Sequence, residues 1–120
     1  MRGTPAMSNV GFSRDALISD FIRDIETMKE NACALTGSRK IIRGINRSLT
    51  RMESKGDYRY VQMAKNLLKK QEKQAGFNAL EELGEPGKMA TVESVVVMPK
   101  YRILFTEKEI NTAKARLGME

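Results

Sequence analysis

The sequence predicts an α-rich α+β domain: an antiparallel bundle of three helices, then a β-hairpin and a short C-terminal helix. Three observations lead to this prediction. Apolar residues recur every three or four positions through much of residues 14–75, which is the period of helices with one buried face. β-branched residues are concentrated in 90–97, as is typical of a strand. A capping-box sequence begins at Thr106, and such a sequence marks the start of a helix.

The length of 120 residues is typical of one domain that buries a core without a metal or a disulfide. Residues 1–12 mix Gly, Pro, Ser and Asn without periodicity and predict a flexible N-terminal arm, although docking of the arm is an equal alternative. Residues 13–120 are the predicted domain. Cys33 is the single cysteine, so no internal disulfide can form, and no apolar run is long enough to span a membrane.

The first predicted helix covers 14–35, with Ser13 as its N-cap and Gly37 as its C-cap. Its apolar residues follow the spacing of coiled-coil a and d positions. A stripe of this kind usually packs on the protein's own helices, but it can also contact a second chain. The residues predicted for such an interface are Ile18, Phe21, Ile25, Met28 and Leu35.

The second predicted helix, 39–55, is basic and strongly two-faced. Residues 38–75 hold 11 of the 21 Lys and Arg and 3 of the 15 Asp and Glu, a net charge of +8 in a chain of net charge +6. At 100° per residue, Ile42, Ile45 and Leu49 share one side of this helix. The cations fall on the opposite side, so burial of the apolar side predicts a row of positive charge about 20 Å long.

The remaining elements are a helix over 58–75, a hairpin over 89–105 and a helix over 107–117. Asp57 is the predicted N-cap of the 58–75 helix, and Gly76 is predicted to end it. The turn at Pro99 is predicted to connect the two strands of the hairpin. Since an isolated two-stranded hairpin is unstable, we expect it to pack on the helices.

The residue inventory argues against an enzyme. The chain contains no histidine, which removes the usual general base near neutral pH and the usual metal ligand. One cysteine cannot build a thiolate zinc site, and no phosphate-binding glycine motif occurs. We therefore expect no catalytic residues, no metal and no cofactor.

The basic face is the main functional signal, because rows of Arg and Lys suit the phosphate backbone of nucleic acid. The residues predicted to contact it are Arg39, Lys40, Arg43, Arg47 and Arg51, with Lys65, Lys69, Lys70 and Lys73 as a second group. The sequence thus favours a non-catalytic accessory protein that binds nucleic-acid backbone without reading sequence. An acidic protein partner or an assembly contact is the competing explanation of the same charges, and a face that is only solvated is the third.

Two further hypotheses remain open. The protein could be a structural or adaptor subunit of a larger assembly, such as a viral particle. It would then act through helix–helix contacts and form a homo-oligomer or a hetero-complex. It could also be a small regulator of a nucleic-acid enzyme. All three hypotheses predict a protein of the cytoplasm, or of a larger nucleoprotein or viral assembly, with no membrane partner.

Overall fold

The computed structural model describes residues 13–70 and 75–119, and within these ranges it contains helices and no β-strand. The predicted N-terminal arm, 1–12, lies outside the described residues. The α-helices are α1 (Arg14–Thr36), α2 (Lys40–Arg51), α3 (Arg59–Lys69), α4 (Ala75–Glu81), α5 (Glu85–Lys88), α6 (Val92–Val96) and α7 (Glu107–Leu117). Two 3₁₀ helices, Glu53–Tyr58 and Pro99–Leu104, complete the described part of the chain.

Local capping residues set the ends of α1 and α7. The Ser13 side chain accepts a hydrogen bond from the Ala16 amide at 3.3 Å, and Gly37 ends α1 in the left-handed conformation with φ of 70°. α7 begins with a complete capping box, in which Thr106 and Glu109 each bond the other's backbone amide. Both helices therefore start where a short polar side chain satisfies an amide that the helix leaves free.

The predicted hairpin over 89–105 is wrong, because this region folds into α6 and the 3₁₀ helix Pro99–Leu104. Thr91 caps α6 by accepting a hydrogen bond from the Ser94 amide at 3.1 Å. Val92, Val95 and Val96 are all buried, and their spacing is that of one helix face. Burial of these valines against the other helices outweighs their intrinsic preference for strands, which depends strongly on context.

The predicted helix over 58–75 is interrupted. α3 ends at Lys69, and Lys70 has extended backbone with φ of −71° and ψ of 141°. Gly76 lies inside α4 and does not close the preceding helix. A long-range contact lies at this break: the Arg116 guanidinium donates hydrogen bonds to the carbonyl oxygens of Leu67 at 3.3 Å and Lys70 at 2.5 Å.

The core lies between α1, α3, α6 and the C-terminal elements. Phe21 of α1 is fully buried and meets Tyr101 edge-on, with 5.0 Å between ring centroids and 86° between ring planes. Such edge-to-face pairs are favourable beyond the area that they bury. α2 covers one side of this core through Ile45 and Leu49, which fixes the orientation of its other side.

Candidate functional site

The basic side of α2 faces away from the core. Ile42, Ile45 and Leu49 are buried, so the side chains on the opposite side of the helix face solvent. All five cations predicted on this side are exposed. We call them the basic strip: Arg39, Lys40, Arg43, Arg47 and Arg51.

Within residues 13–70 and 75–119, no carboxylate forms an ion pair with the basic strip. The neighbouring helix, α1, is acidic, with five carboxylates against three cations, and two of these carboxylates form ion pairs with residues outside the strip. Asp20 lies 3.1 Å from Arg23 and 3.6 Å from Lys100, and Glu26 lies 2.9 Å from Lys29. The strip is therefore not covered by the protein's own acidic helix in the described part of the chain.

A polar network links α1 to α2 and to α3. The buried Lys29 ammonium donates to Glu26 Oε2 at 2.9 Å and to Asn46 Oδ1 of α2 at 2.7 Å. The Tyr60 hydroxyl of α3 donates to the same Glu26 oxygen at 2.7 Å. Burial and the Glu26 carboxylate raise the pKa of Tyr60 to about 12. For Glu26, burial raises the pKa, but the hydrogen bonds from Lys29 and Tyr60 outweigh it and lower the pKa overall.

The second predicted group of cations does not form one surface. Lys65 lies 2.9 Å from Glu109, and its side chain is only 17% exposed, so it holds α3 to α7 and does not join an open surface. Burial raises the pKa of Glu109, but the hydrogen bonds from Lys65 and Thr106 lower it overall. Lys69 and Lys70 are exposed at the end of α3. Lys73 lies outside the described residues.

A groove of about 800 Å³ runs beside the basic strip. It lies between α1, α2, α3, α4 and the start of α6. Three strip residues, Lys40, Arg47 and Arg51, line it. Much of the remaining lining is apolar, including Ile41, Met52 and Phe77. This groove could not be predicted from the sequence, because it depends on α4 lying close to α2, where a Cβ on Gly76 would come 3.2 Å from Ile41.

Glu93, which also lines the groove, forms a buried ion pair with Arg116. The exposed fractions of the two side chains are 2% and 7%, and Nη1 of Arg116 lies 3.0 Å from Glu93 Oε2. The same guanidinium binds the carbonyls at the end of α3, where a cation also suits the negative end of the helix dipole. This pair joins α3, α6 and α7, and sequence analysis missed it because its members are 23 residues apart.

The residues predicted for a helix–helix interface are mostly internal. Ile18, Phe21, Ile25 and Met28 are buried in the protein's own core. Leu35 is 41% exposed and lies in a small cleft with Pro86 and Met89. Of the five predicted residues, only Leu35 is open to a second chain.

No group of three or more potential metal ligands occurs among the residues that the structure describes. In the same part of the chain, no helix combines the length and the apolar character needed to cross a bilayer. Comparison with protein-family models, curated proteins and solved structures gave no significant match.

Proposed function

We propose that this protein is a non-catalytic accessory protein that binds the backbone of nucleic acid through the basic strip. The observation that carries the proposal is the exposure of five cations on one side of one helix, with no ion pair to any described carboxylate. The opposite side of α2 is buried in the core, so the strip is held on a fixed support.

The dimensions and chemistry of the strip suit a chain of phosphates. From Arg39 to Arg51 the helix rises about 18 Å, a length over which duplex DNA carries about ten phosphate charges. Four of the five strip residues are arginines, whose guanidinium groups bind phosphate oxygens in a bidentate manner. Contacts of this kind fix the position of a protein on nucleic acid and do not read its sequence.

The proposal is tested by fluorescence anisotropy with labelled random-sequence duplex DNA, single-stranded DNA and RNA. The strip variant carries Arg43→Glu, Arg47→Glu and Arg51→Glu. A matched control variant carries Arg102→Glu, Lys108→Glu and Lys114→Glu. It changes the net charge of the protein by the same amount as the strip variant, but on the 3₁₀ helix Pro99–Leu104 and on α7.

We expect the strip variant to bind at least one of these nucleic acids about 100-fold more weakly than wild type, because each reversed contact also adds repulsion. The control variant should lose about threefold or less. Circular dichroism should show both variants folded. Equal losses in the two variants, or no binding of any nucleic acid by wild type, would contradict the proposal.

A structural or adaptor role is a second candidate, and an exposed apolar patch favours it. Leu35 and Met89 line the same small cleft and are 41% and 69% exposed. If this patch forms a helix–helix contact, static light scattering should show a defined oligomer at about 0.1 M and at about 1 M salt, because screening weakens charge contacts and leaves apolar contacts intact. A monomer at both salt concentrations would exclude self-assembly through the patch.

A further inference from the structure

The groove beside the basic strip has the size and lining of a binding site. Its volume of about 800 Å³ lies within the range of about 300–1,000 Å³ found for ligand pockets. Ile41, Met52 and Leu67 line it and are only half-buried, so they keep apolar surface that no described neighbour covers.

The charge that the groove offers to a ligand is positive. Among the described lining residues, the cations are Lys40, Arg47, Arg51 and Lys70, all of them exposed. Glu93 is the one described carboxylate in the lining, and it is buried in its ion pair with Arg116. An acidic ligand would therefore meet cations at the accessible surface, while a basic ligand would be repelled.

The cations of the groove are spread along a helix-length wall. Lys40, Arg47 and Arg51 share one side of α2 with Gly44 at a four-three-four spacing, and this side is about 17 Å long. One anionic headgroup cannot reach cations spread over such a length. Gly44 leaves open space in the middle of this wall, since a Cβ at this position would have no heavy atom within 4 Å.

We propose that the groove binds an acidic amphipathic helix of a partner protein. The apolar face of that helix packs on Ile41, Met52 and Leu67, and its carboxylates face Lys40, Arg47 and Arg51. Docking of an amphipathic helix in an apolar groove is a general mode of peptide recognition. The apolar lining distinguishes this site from the outward-facing Arg39 and Arg43, which are not among the groove residues. The proposal does not depend on nucleic-acid binding, although both ligands would use three of the same cations.

The test uses a designed labelled peptide of about 14 residues, with Leu at the i, i+3, i+4 and i+7 spacing and Glu along one flank. A second peptide has the same composition with its Leu residues distributed around the helix, and a third has Lys in place of Glu. Anisotropy measures affinity, and amide chemical shifts in ¹⁵N-labelled full-length protein locate the site. We expect the acidic amphipathic peptide to bind, and both other peptides to bind about tenfold more weakly or worse.

Two variants test whether the peptide binds in the groove. Gly44→Trp puts a bulky side chain over the groove, while Asn111→Trp puts the same side chain on an exposed position of α7. Gly44→Trp should weaken binding about tenfold, and Asn111→Trp should not change it. If Gly44→Trp fails to fold, Arg47→Gln with Arg51→Gln replaces it, because both residues are exposed and free of described ion pairs. The same loss is expected.

Equal binding of the acidic amphipathic peptide and its rearranged form would overturn the proposal, as would full affinity in a folded Gly44→Trp variant. A third contrary result is a shift of the Gly44, Ser48 and Gly76 amides on addition of a single-stranded oligonucleotide but not of the peptide. That result would assign the groove to nucleobases. Nucleic-acid binding by the strip is measured separately, so failure of one proposal leaves the other standing.

Discussion

The basic strip and the corner around Arg116 use the same type of side chain in opposite ways. In the strip, Arg43, Arg47 and Arg51 are exposed and have no described carboxylate partner. In the corner, Arg116 is buried, pairs with Glu93 and bonds two carbonyls at the end of α3. The comparison teaches that the fold, and not the residue type, determines which cations stabilise the protein and which are available to a ligand.

The largest effect is expected from removing the cation of the buried corner. Arg116→Met leaves the Glu93 carboxylate buried without this partner and removes the hydrogen bonds to Leu67 and Lys70. Breaking a buried ion pair in this way costs about 3–5 kcal/mol. Urea denaturation should show this loss in the free energy of unfolding.

Arg47→Met is the matched control, because it makes the same chemical change on the exposed strip. Its free energy of unfolding should stay within about 0.5 kcal/mol of wild type. If both variants lose the same free energy of unfolding, then Arg116 stabilises the fold no more than Arg47 does, and the proposed difference between them is wrong.

Glycine substitutions test the same difference between a buried and an exposed position at the level of packing. A Cβ on Gly87 would lie 1.8 Å from the Leu80 carbonyl oxygen, so Gly87→Ala must displace backbone and should destabilise the protein by about 1–3 kcal/mol. Gly44, on the open side of α2, has no heavy atom near this position. Gly44→Ala should raise the free energy of unfolding by about 0.5–1 kcal/mol, because alanine favours a helix interior. If urea denaturation shows that both substitutions change the free energy of unfolding in the same direction, this account is contradicted.

The smallest effect on stability is expected from the polar network that links α1 to α2 and to α3, and this effect depends on pH. Because the pKa of Tyr60 is raised in the folded protein, from 10.0 to about 12, its contribution to stability is complete below pH 10. That contribution is lost as the pH rises towards 12, where the folded-state phenol ionises. Ultraviolet absorbance of the phenolate should show one tyrosine titrating near pH 12, and this transition should be absent in Tyr60→Phe. Persistence of the transition in the variant would show that another tyrosine is responsible.

Local sequence signals gave several elements correctly, while contacts between distant residues decided the rest. Capping at Ser13 and Thr106 involves neighbours within three residues, so the starts of α1 and α7 could be read directly. The exposed position of the strip followed from the antipodal spacing of Ile45 and Arg47, which is also a local property. The sequence could not indicate that Lys65 pairs with Glu109, 44 residues away.

The predicted hairpin failed for a related reason. β-branched residues suggest strands, yet Val92, Val95 and Val96 share a helix face, and burial against the other helices outweighs their intrinsic preference. The groove was equally unpredictable, because its lining comes from five helices, α1, α2, α3, α4 and α6, that meet only in the folded chain. The sequence therefore revealed the charged side of the candidate site but not the apolar surface next to it.

The proposed binding of phosphate charges by the basic strip can be measured through the salt dependence of nucleic-acid affinity. If all five cations contact phosphates, log affinity for duplex DNA should fall against log salt with a slope of about −4 to −5. The variant carrying Arg43→Glu, Arg47→Glu and Arg51→Glu should give a slope smaller in magnitude by about 3. A wild-type slope near zero, or the same slope in both proteins, would contradict the account.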